Sequence, residues 1–99
     1  MDITVQELKE RLDKGEALNF YDVRKSYEYE ADNLGATLIP LGELPGRLDE
    51  LEHLKDAEII VQCRSGARSG NAQRYMQMQG FTNVRNLIGG ILAYREMEH

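Results

Sequence analysis

Residues 58–70 read EIIVQCRSGARSG, and this segment combines an apolar run with a polar loop that contains a cysteine. Its first part, Glu58 to Gln62, is rich in β-branched residues and bounded by polar ones, which predicts a buried strand. From 72 to 80 apolar residues recur at helical spacing, which predicts a helix. Cys63 is therefore expected in a loop between the end of a strand and the start of a helix.

The rest of the chain alternates in the same way. A capping box at Thr4–Glu7 predicts a helix that ends at Gly15. A short helical turn is expected from Ser26 to Ala31 and a last helix after Gly89-Gly90. A leucine-rich helix is expected from Leu41 to Leu54, interrupted near its start by Pro45, which is tolerated in a first turn. Strands are predicted within Ala17–Val23, Gly35–Ile39 and Val84–Leu87. This alternation predicts an α/β fold with a mainly parallel sheet covered by helices on both faces. Ligands of such sheets bind beyond the carboxyl ends of the strands, where Cys63 is expected.

Composition narrows the possible functions. The chain has 99 residues, one cysteine and a formal net charge of −5. The length fits one domain, 1–99. One cysteine excludes an internal disulfide and a multi-cysteine zinc site, and His53 and His99 lack partners at metal-ligand spacing, so no metal is expected. The acidic balance disfavours nucleic acid, and no apolar run reaches the roughly 20 residues of a membrane helix. No signal peptide is visible, which makes the cytoplasm the default location unless such a segment was removed. His99 is either native or tag-derived.

The cysteine loop favours a thiolate. A free thiol with a pKa of about 8.5 is mostly protonated at neutral pH, whereas a helix N-terminus stabilises negative charge. Arg64 and Arg68 add two positive charges to the loop. Gly66 permits a tight turn in which backbone N–H groups converge on an anion. A buried cysteine is usually a core residue, but two arginines in a strand-to-helix loop are typical of an anion site.

Two serines complete the loop. Ser65 and Ser69 supply hydroxyl donors, and Ser69 is predicted to cap the following helix. No histidine is near in sequence to act as a base, and a preformed thiolate needs none. This pattern favours attack by Cys63 on a small sulfur donor, with the transferred sulfur kept as a persulfide anion.

These residues carry a family resemblance that covers nearly the whole chain. CRSGARS at 63–69, after an apolar strand, resembles the active-site loop of rhodanese domains, which are sulfurtransferases. The stretches Tyr21–Arg24 and Tyr27–Glu30 are similar to the family's first signature. Its C-terminal signature is similar to Gly80–Val84 followed by Leu87–Ile91.

The resemblance implies a rhodanese-like α/β domain with five mainly parallel strands and no cofactor. It implies that Cys63 takes sulfane sulfur from a small anionic donor such as thiosulfate. A thiol or cyanide-like acceptor, or a sulfur-relay protein, then removes it. Backbone N–H groups at the matching positions cradle the persulfide, and the two arginines attract the donor; these positions are Arg64, Ser65, Gly66, Ala67 and Arg68. Asp22 and Arg24 are expected to be a structural pair near the site.

Two positions depart from the family pattern, and two other functions stay open. Asn33 stands where the family often has histidine, and Tyr94 where it often has tryptophan. The first alternative is a non-catalytic or sulfur-carrier module that acts with a protein partner. The second is a small cysteine phosphatase or arsenate reductase. The second is disfavoured because cysteine phosphatases have a longer loop than the six residues from Cys63 to Arg68.

Overall fold

Strands and helices alternate along the chain in the computed structural model, which describes residues 1–98. The uncertain origin of His99 lies outside the described residues. The helices are α1 (Val5–Asp13), α2 (Ser26–Ala31), α3 (Leu44–Arg47), α4 (Ala67–Met78) and α5 (Gly90–Met97). The strands are β1 (Phe20–Asp22), β2 (Thr37–Leu38), β3 (Ile59–Gln62) and β4 (Val84–Asn86). The predicted α/β class is confirmed.

The four strands form one parallel sheet in the order β2-β1-β3-β4. Five strands were expected. Beyond β4 the described residues add only an isolated parallel bridge between Ile3 and Leu87. Thr4 is already the N-cap of α1, so the chain leaves the sheet edge immediately after Ile3. The fifth strand is thus reduced to a single residue pair.

The sheet separates two apolar cores. Side chains of a strand alternate between the faces, so Ile59, Val61 and Cys63 face one core while Ile60 faces the other. The first core lies against α3 and α4 and includes Leu44, Leu51, Ala72 and Met76. The second lies against α1 and α5 and includes Val5, Leu8, Leu87 and Tyr94. Helices on both faces keep β3 buried along its whole length.

The leucine-rich segment differs from the single helix that was predicted. It contains 3₁₀ turns at Leu41–Glu43 and Leu48–Leu54 on either side of the one-turn helix α3. Pro45 lies in the first turn of α3, where its missing backbone N–H is tolerated, as predicted. Leu44 and Leu51 are nonetheless buried, which shows that the apolar face survives the interruption.

The two predicted helix starts near the N-terminus are partly correct. The Thr4 hydroxyl accepts a hydrogen bond from the Glu7 N–H at 3.1 Å, as a capping residue should. The Glu7 carboxylate does not complete the box but pairs with Arg85. Ser26 is the first residue of α2, and Lys25 occupies its N-cap position. No helix within residues 1–98 has both the length and the apolar character needed to cross a lipid bilayer.

Candidate active site

Cys63 directly follows β3 at the carboxyl end of the sheet, four residues before α4 begins. It continues the alternation of Ile59 and Val61, so its side chain points into the first core and is 1% exposed. The residues after it, Arg64 and Ser65, are exposed. The sulfur therefore lies at the floor of a loop whose rim is open to solvent.

Two groups donate to the sulfur atom. The Gly66 N–H lies 3.1 Å from Sγ, and the Ser69 hydroxyl oxygen lies 3.3 Å from it. Gly66 has a φ of +104°, a left-handed conformation that favours glycine, and this conformation turns the chain from the loop into α4. Both donors come from residues that the sequence placed in the loop.

Ser69 corrects one prediction, because it is not the N-cap of α4. Gly66 occupies the cap, and the helix begins at Ala67. The left-handed turn at Gly66 lets the helix start earlier than the serine pattern indicated. Ser69 consequently lies in the first turn, where it is fully buried and its hydroxyl faces the cysteine.

Hydrogen bonding favours the ionised form of Cys63. Burial alone raises the pKa of the thiol, but donors from Ser69, Gly66 and Ser65 outweigh it, so the pKa lies below its ordinary value. The sequence predicted contributions from the helix N-terminus, the loop N–H groups, the serine hydroxyls and the two arginines together. Of these, the leading favourable causes are the hydroxyl and backbone N–H groups, which stabilise a sulfur anion directly.

Arg68 is engaged by a carboxylate. Its Nη1 and Nη2 donate to the two oxygens of Glu28 on α2 at 2.7 and 2.8 Å. The bidentate pair holds the pKa of Glu28 at about 2, so both groups are charged near neutral pH. Arg64 lines an open cleft of about 270 Å³ beside the loop, together with Leu92 and Arg95, and Arg68 lines a second cleft of about 420 Å³.

The N-terminus of α5 fixes the other side of the loop. The backbone N–H groups of Ile91 and Leu92 donate to the carbonyls of Cys63 and Arg64 at 3.0 and 3.1 Å. A side chain at Gly90 would collide with these two carbonyls, and Gly90 also has a φ of +62°. The Gly89-Gly90 pair therefore allows the N-terminus of α5 to pack closely against the backbone of the cysteine loop.

Asp22 and Arg24 form a buried ion pair at the end of β1. The Asp22 carboxylate, 0% exposed, accepts from the Arg24 Nη2 at 2.8 Å and from its backbone N–H at 3.0 Å. Arg24 also donates to the Asp32 carbonyl at 2.7 Å. These contacts tie the end of α2 to the sheet, and α2 carries the partner of Arg68.

Asn33 and Tyr94, the two residues that depart from the family pattern, both make structural contacts. Asn33 accepts from the Gly35 N–H at 2.9 Å and donates to the Tyr29 carbonyl, which shapes the turn before β2. Tyr94 is buried in the second core. Neither contacts Cys63 in the described hydrogen-bond network.

Asn86 was missed by the sequence analysis. It ends β4, and its side chain contacts both Ser69 and Gly66. Nothing in its local sequence marks it, because the contact depends on β4 lying next to β3. Across residues 1–98, no three His, Cys, Asp or Glu side chains are grouped so as to hold a metal ion.

Comparison with known proteins agrees with this geometry. The sequence profile of the rhodanese-like domain matches residues 4–97. YrkF of Bacillus subtilis, described as a candidate sulfur carrier protein, is 41% identical over 91% of this chain and 48% of its own length. YtwF of the same organism, described as a candidate sulfurtransferase, is 36% identical over 94% of this chain and 88% of its own. The chain thus spans about half of YrkF and most of YtwF.

A solved structure shows the same fold. The human single-domain sulfurtransferase TSTD1 superposes with a TM-score of 0.83 at 25% identity, over 99% of this chain and 97% of its own. The profile match extends over nearly the whole length, and the similarity to YtwF covers most of both chains. By these criteria the chain belongs to the rhodanese-like domain family.

Proposed function

We propose that this protein is a sulfurtransferase that carries sulfane sulfur on Cys63 as a persulfide. The observation that carries the proposal is the position of the Cys63 sulfur, which faces the Gly66 N–H and the Ser69 hydroxyl at the floor of an open loop. These donors stabilise an anion on the sulfur before reaction. The functions named for YrkF, YtwF and TSTD1 support the same chemistry.

With thiosulfate as donor, the Cys63 thiolate attacks the outer sulfane sulfur. A new S–S bond forms to Cys63, the bond between the sulfane sulfur and the sulfonate sulfur breaks, and sulfite leaves with the electron pair. The charge on Cys63 moves to the terminal sulfur of the persulfide. Attack by cyanide on that sulfur then yields thiocyanate and regenerates the thiolate, so no proton or redox partner is required.

The loop supplies donors for the negative charge in each state. The backbone N–H groups of Ser65, Gly66 and Ser69 favour the ionised cysteine. Arg64 is exposed at the rim, where its charge attracts an anionic donor. The charge of Arg68 is shared with Glu28, so we assign Arg64 the larger part in donor attraction.

Intact-mass measurement tests the persulfide directly. Cys63 is the only cysteine, so thiosulfate should add one sulfur atom to the wild-type chain, and cyanide should remove it. The Cys63→Ser variant, matched in size, should gain nothing. The proposal fails if wild type stays unmodified or if Cys63→Ser gains as much. Hydrolysis of an aryl phosphate that depends on Cys63 would instead support the phosphatase alternative.

A second candidate is a carrier module that acts with a protein partner. The observation in its favour is that this chain covers only 48% of YrkF, the relative described as a candidate sulfur carrier. Single-turnover loading of Cys63 with slow thiocyanate release would favour this role. Fast multiple turnover with thiosulfate and cyanide would favour the autonomous enzyme, with 1–99 as one functional domain.

A further inference from the structure

We propose that Asn86 is a positioning residue for the sulfur site, an inference that rests on the proposed sulfur transfer by Cys63. Asn86 lies at the end of β4, the strand beside β3. Its Nδ2 donates to the Gly66 carbonyl at 3.0 Å, and its Oδ1 accepts from the Ser69 hydroxyl at 2.6 Å. Gly66 and Ser69 are the two residues whose donors reach the Cys63 sulfur.

The orientation of the Asn86 amide follows from its partners. The Gly66 carbonyl can only accept a hydrogen bond, so the NH₂ group of Asn86 must face it. The amide oxygen of Asn86 then faces Ser69 and can only accept a hydrogen bond from its hydroxyl. The Asn86 amide therefore fixes the carbonyl of the left-handed Gly66 on one side. On the other side it competes with the Cys63 sulfur for the Ser69 proton.

The Ser69 hydroxyl has one proton and two acceptors. It lies 2.6 Å from the Asn86 oxygen and 3.3 Å from the Cys63 sulfur. A hydroxyl donates one hydrogen bond at a time and rotates to the better acceptor. With a neutral thiol the proton points to Asn86, and with a thiolate or persulfide it turns to the sulfur. Asn86 thus keeps the hydroxyl in place while the sulfur is uncharged and releases it when the charge appears.

Two charged side chains approach Asn86. The Asp2 carboxylate accepts from its backbone N–H at 3.3 Å, and Arg74 on α4 approaches its amide, since Nη1 of Arg74 and Nδ2 of Asn86 both lie within 4 Å of the point where a Cβ on Gly70 would be. Arg64 and the Arg68–Glu28 pair belong to the loop and α2, and the Asp22–Arg24 pair belongs to β1. A charge introduced at the Asn86 side chain would act on Cys63 through Ser69 and Gly66.

Asn86→Asp tests the assignment with little change in shape. A carboxylate is a stronger acceptor for the Ser69 proton and adds negative charge, and both effects oppose the thiolate. We expect the midpoint of Cys63 alkylation against pH to rise by roughly one unit, which lowers the thiolate fraction below the midpoint about tenfold. Asn83→Asp, which adds the same charge at an exposed site before β4, should leave the midpoint unchanged.

A folded Asn86→Asp protein with the wild-type midpoint would overturn the assignment. If that variant does not fold, Asn86→Ala decides. At a pH where the thiol is fully ionised, its rate of persulfide formation from thiosulfate should fall roughly tenfold, the equivalent of one lost hydrogen bond, and a wild-type rate would overturn the assignment. Failure of wild type itself to take up sulfur would instead reject the proposed function, since alkylation of Cys63 needs no sulfur donor.

Discussion

Arg68 on α4 donates to both carboxylate oxygens of Glu28 on α2, at 2.7 and 2.8 Å. The carboxylate of this pair is mostly buried, since the Glu28 side chain is 17% exposed to solvent. The arginine of the cysteine loop is therefore part of a nearly neutral unit. Its removal would leave a carboxylate unpaired next to a site that must accept anions.

The first prediction follows from that unpaired carboxylate. Arg68→Ala should lower kcat/KM for thiosulfate by at least roughly tenfold, because an unpaired charge repels the donor and disfavours the thiolate. The double variant Arg68→Ala with Glu28→Ala should recover most of the loss. Steady-state thiocyanate formation measures both. Equal impairment in the single and double variants would show that Arg68 acts on the donor directly.

Removing the Ser69 hydroxyl should weaken the thiolate. We expect Ser69→Ala to raise the pKa of Cys63 and so to lower the rate of its alkylation at neutral pH, since this hydroxyl is the largest of the contributions that lower the pKa. The pH dependence of iodoacetamide alkylation gives the pKa. Ser26→Ala, at an exposed position at the start of α2, is the control and should match wild type. A wild-type pKa in Ser69→Ala would assign the effect to the backbone N–H groups alone.

The sequence predicted those parts of the fold that depend on local patterns. The β-branched apolar run of β3, buried along its whole length, and the turn after it are encoded within 58–70, so the α/β class and the place of Cys63 followed from them. The interruption near Pro45 was predicted, but the 3₁₀ conformation of Leu48–Leu54 was not, because apolar residues every three or four positions fit both kinds of helix. The fifth strand was overestimated because capping by Thr4 ends the pairing after Ile3.

The site was predicted less completely because its contacts are long-range. Asn86 meets Ser69 through the pairing of β4 with β3, and Glu28 meets Arg68 through the packing of α2 against the loop. Asn86 lies outside the stretches that carry the family resemblance, and Glu28 lies in a signature stretch that does not indicate a contact with Arg68. The cap prediction for Ser69 was wrong for a local reason, since hydroxyl residues are favoured N-caps but a left-handed glycine took that position first.

Gly90 should tolerate no side chain. A Cβ at this position would overlap the Cys63 and Arg64 carbonyls, and the φ of Gly90 is +62°. We expect Gly90→Ala to reduce the free energy of unfolding by about 2 kcal/mol or more and to slow persulfide formation. Gly46→Ala in α3, where a Cβ meets nothing within 4 Å, is the control and should be neutral or slightly stabilising. Similar unfolding curves for the two variants would contradict this account of the α5 approach.

The last prediction concerns acid stability at the opposite end of β3. The Glu58 carboxylate accepts from Arg11 at 2.6 and 2.8 Å and from Arg85 at 2.8 Å, and these bonds lower its pKa to about 2 against a burial effect that raises it. Its unfolded pKa is near 4.5. A lowered folded pKa stabilises the protein fully above the unfolded value, and this stabilisation disappears as the pH falls from about 4.5 to about 2.

Glu58→Gln should therefore cost about 2 kcal/mol at neutral pH, a figure reduced from the full pKa difference because the Glu58 side chain is 28% exposed. Urea denaturation at a series of pH values should show the deficit shrinking below pH 4.5, because protonation removes the same charge from wild type. Glu10→Gln, at an exposed position on α1, should show no comparable deficit at any pH. A deficit for Glu58→Gln that stays constant down to pH 2 would mean that packing around Glu58, rather than its charge, stabilises this end of the sheet.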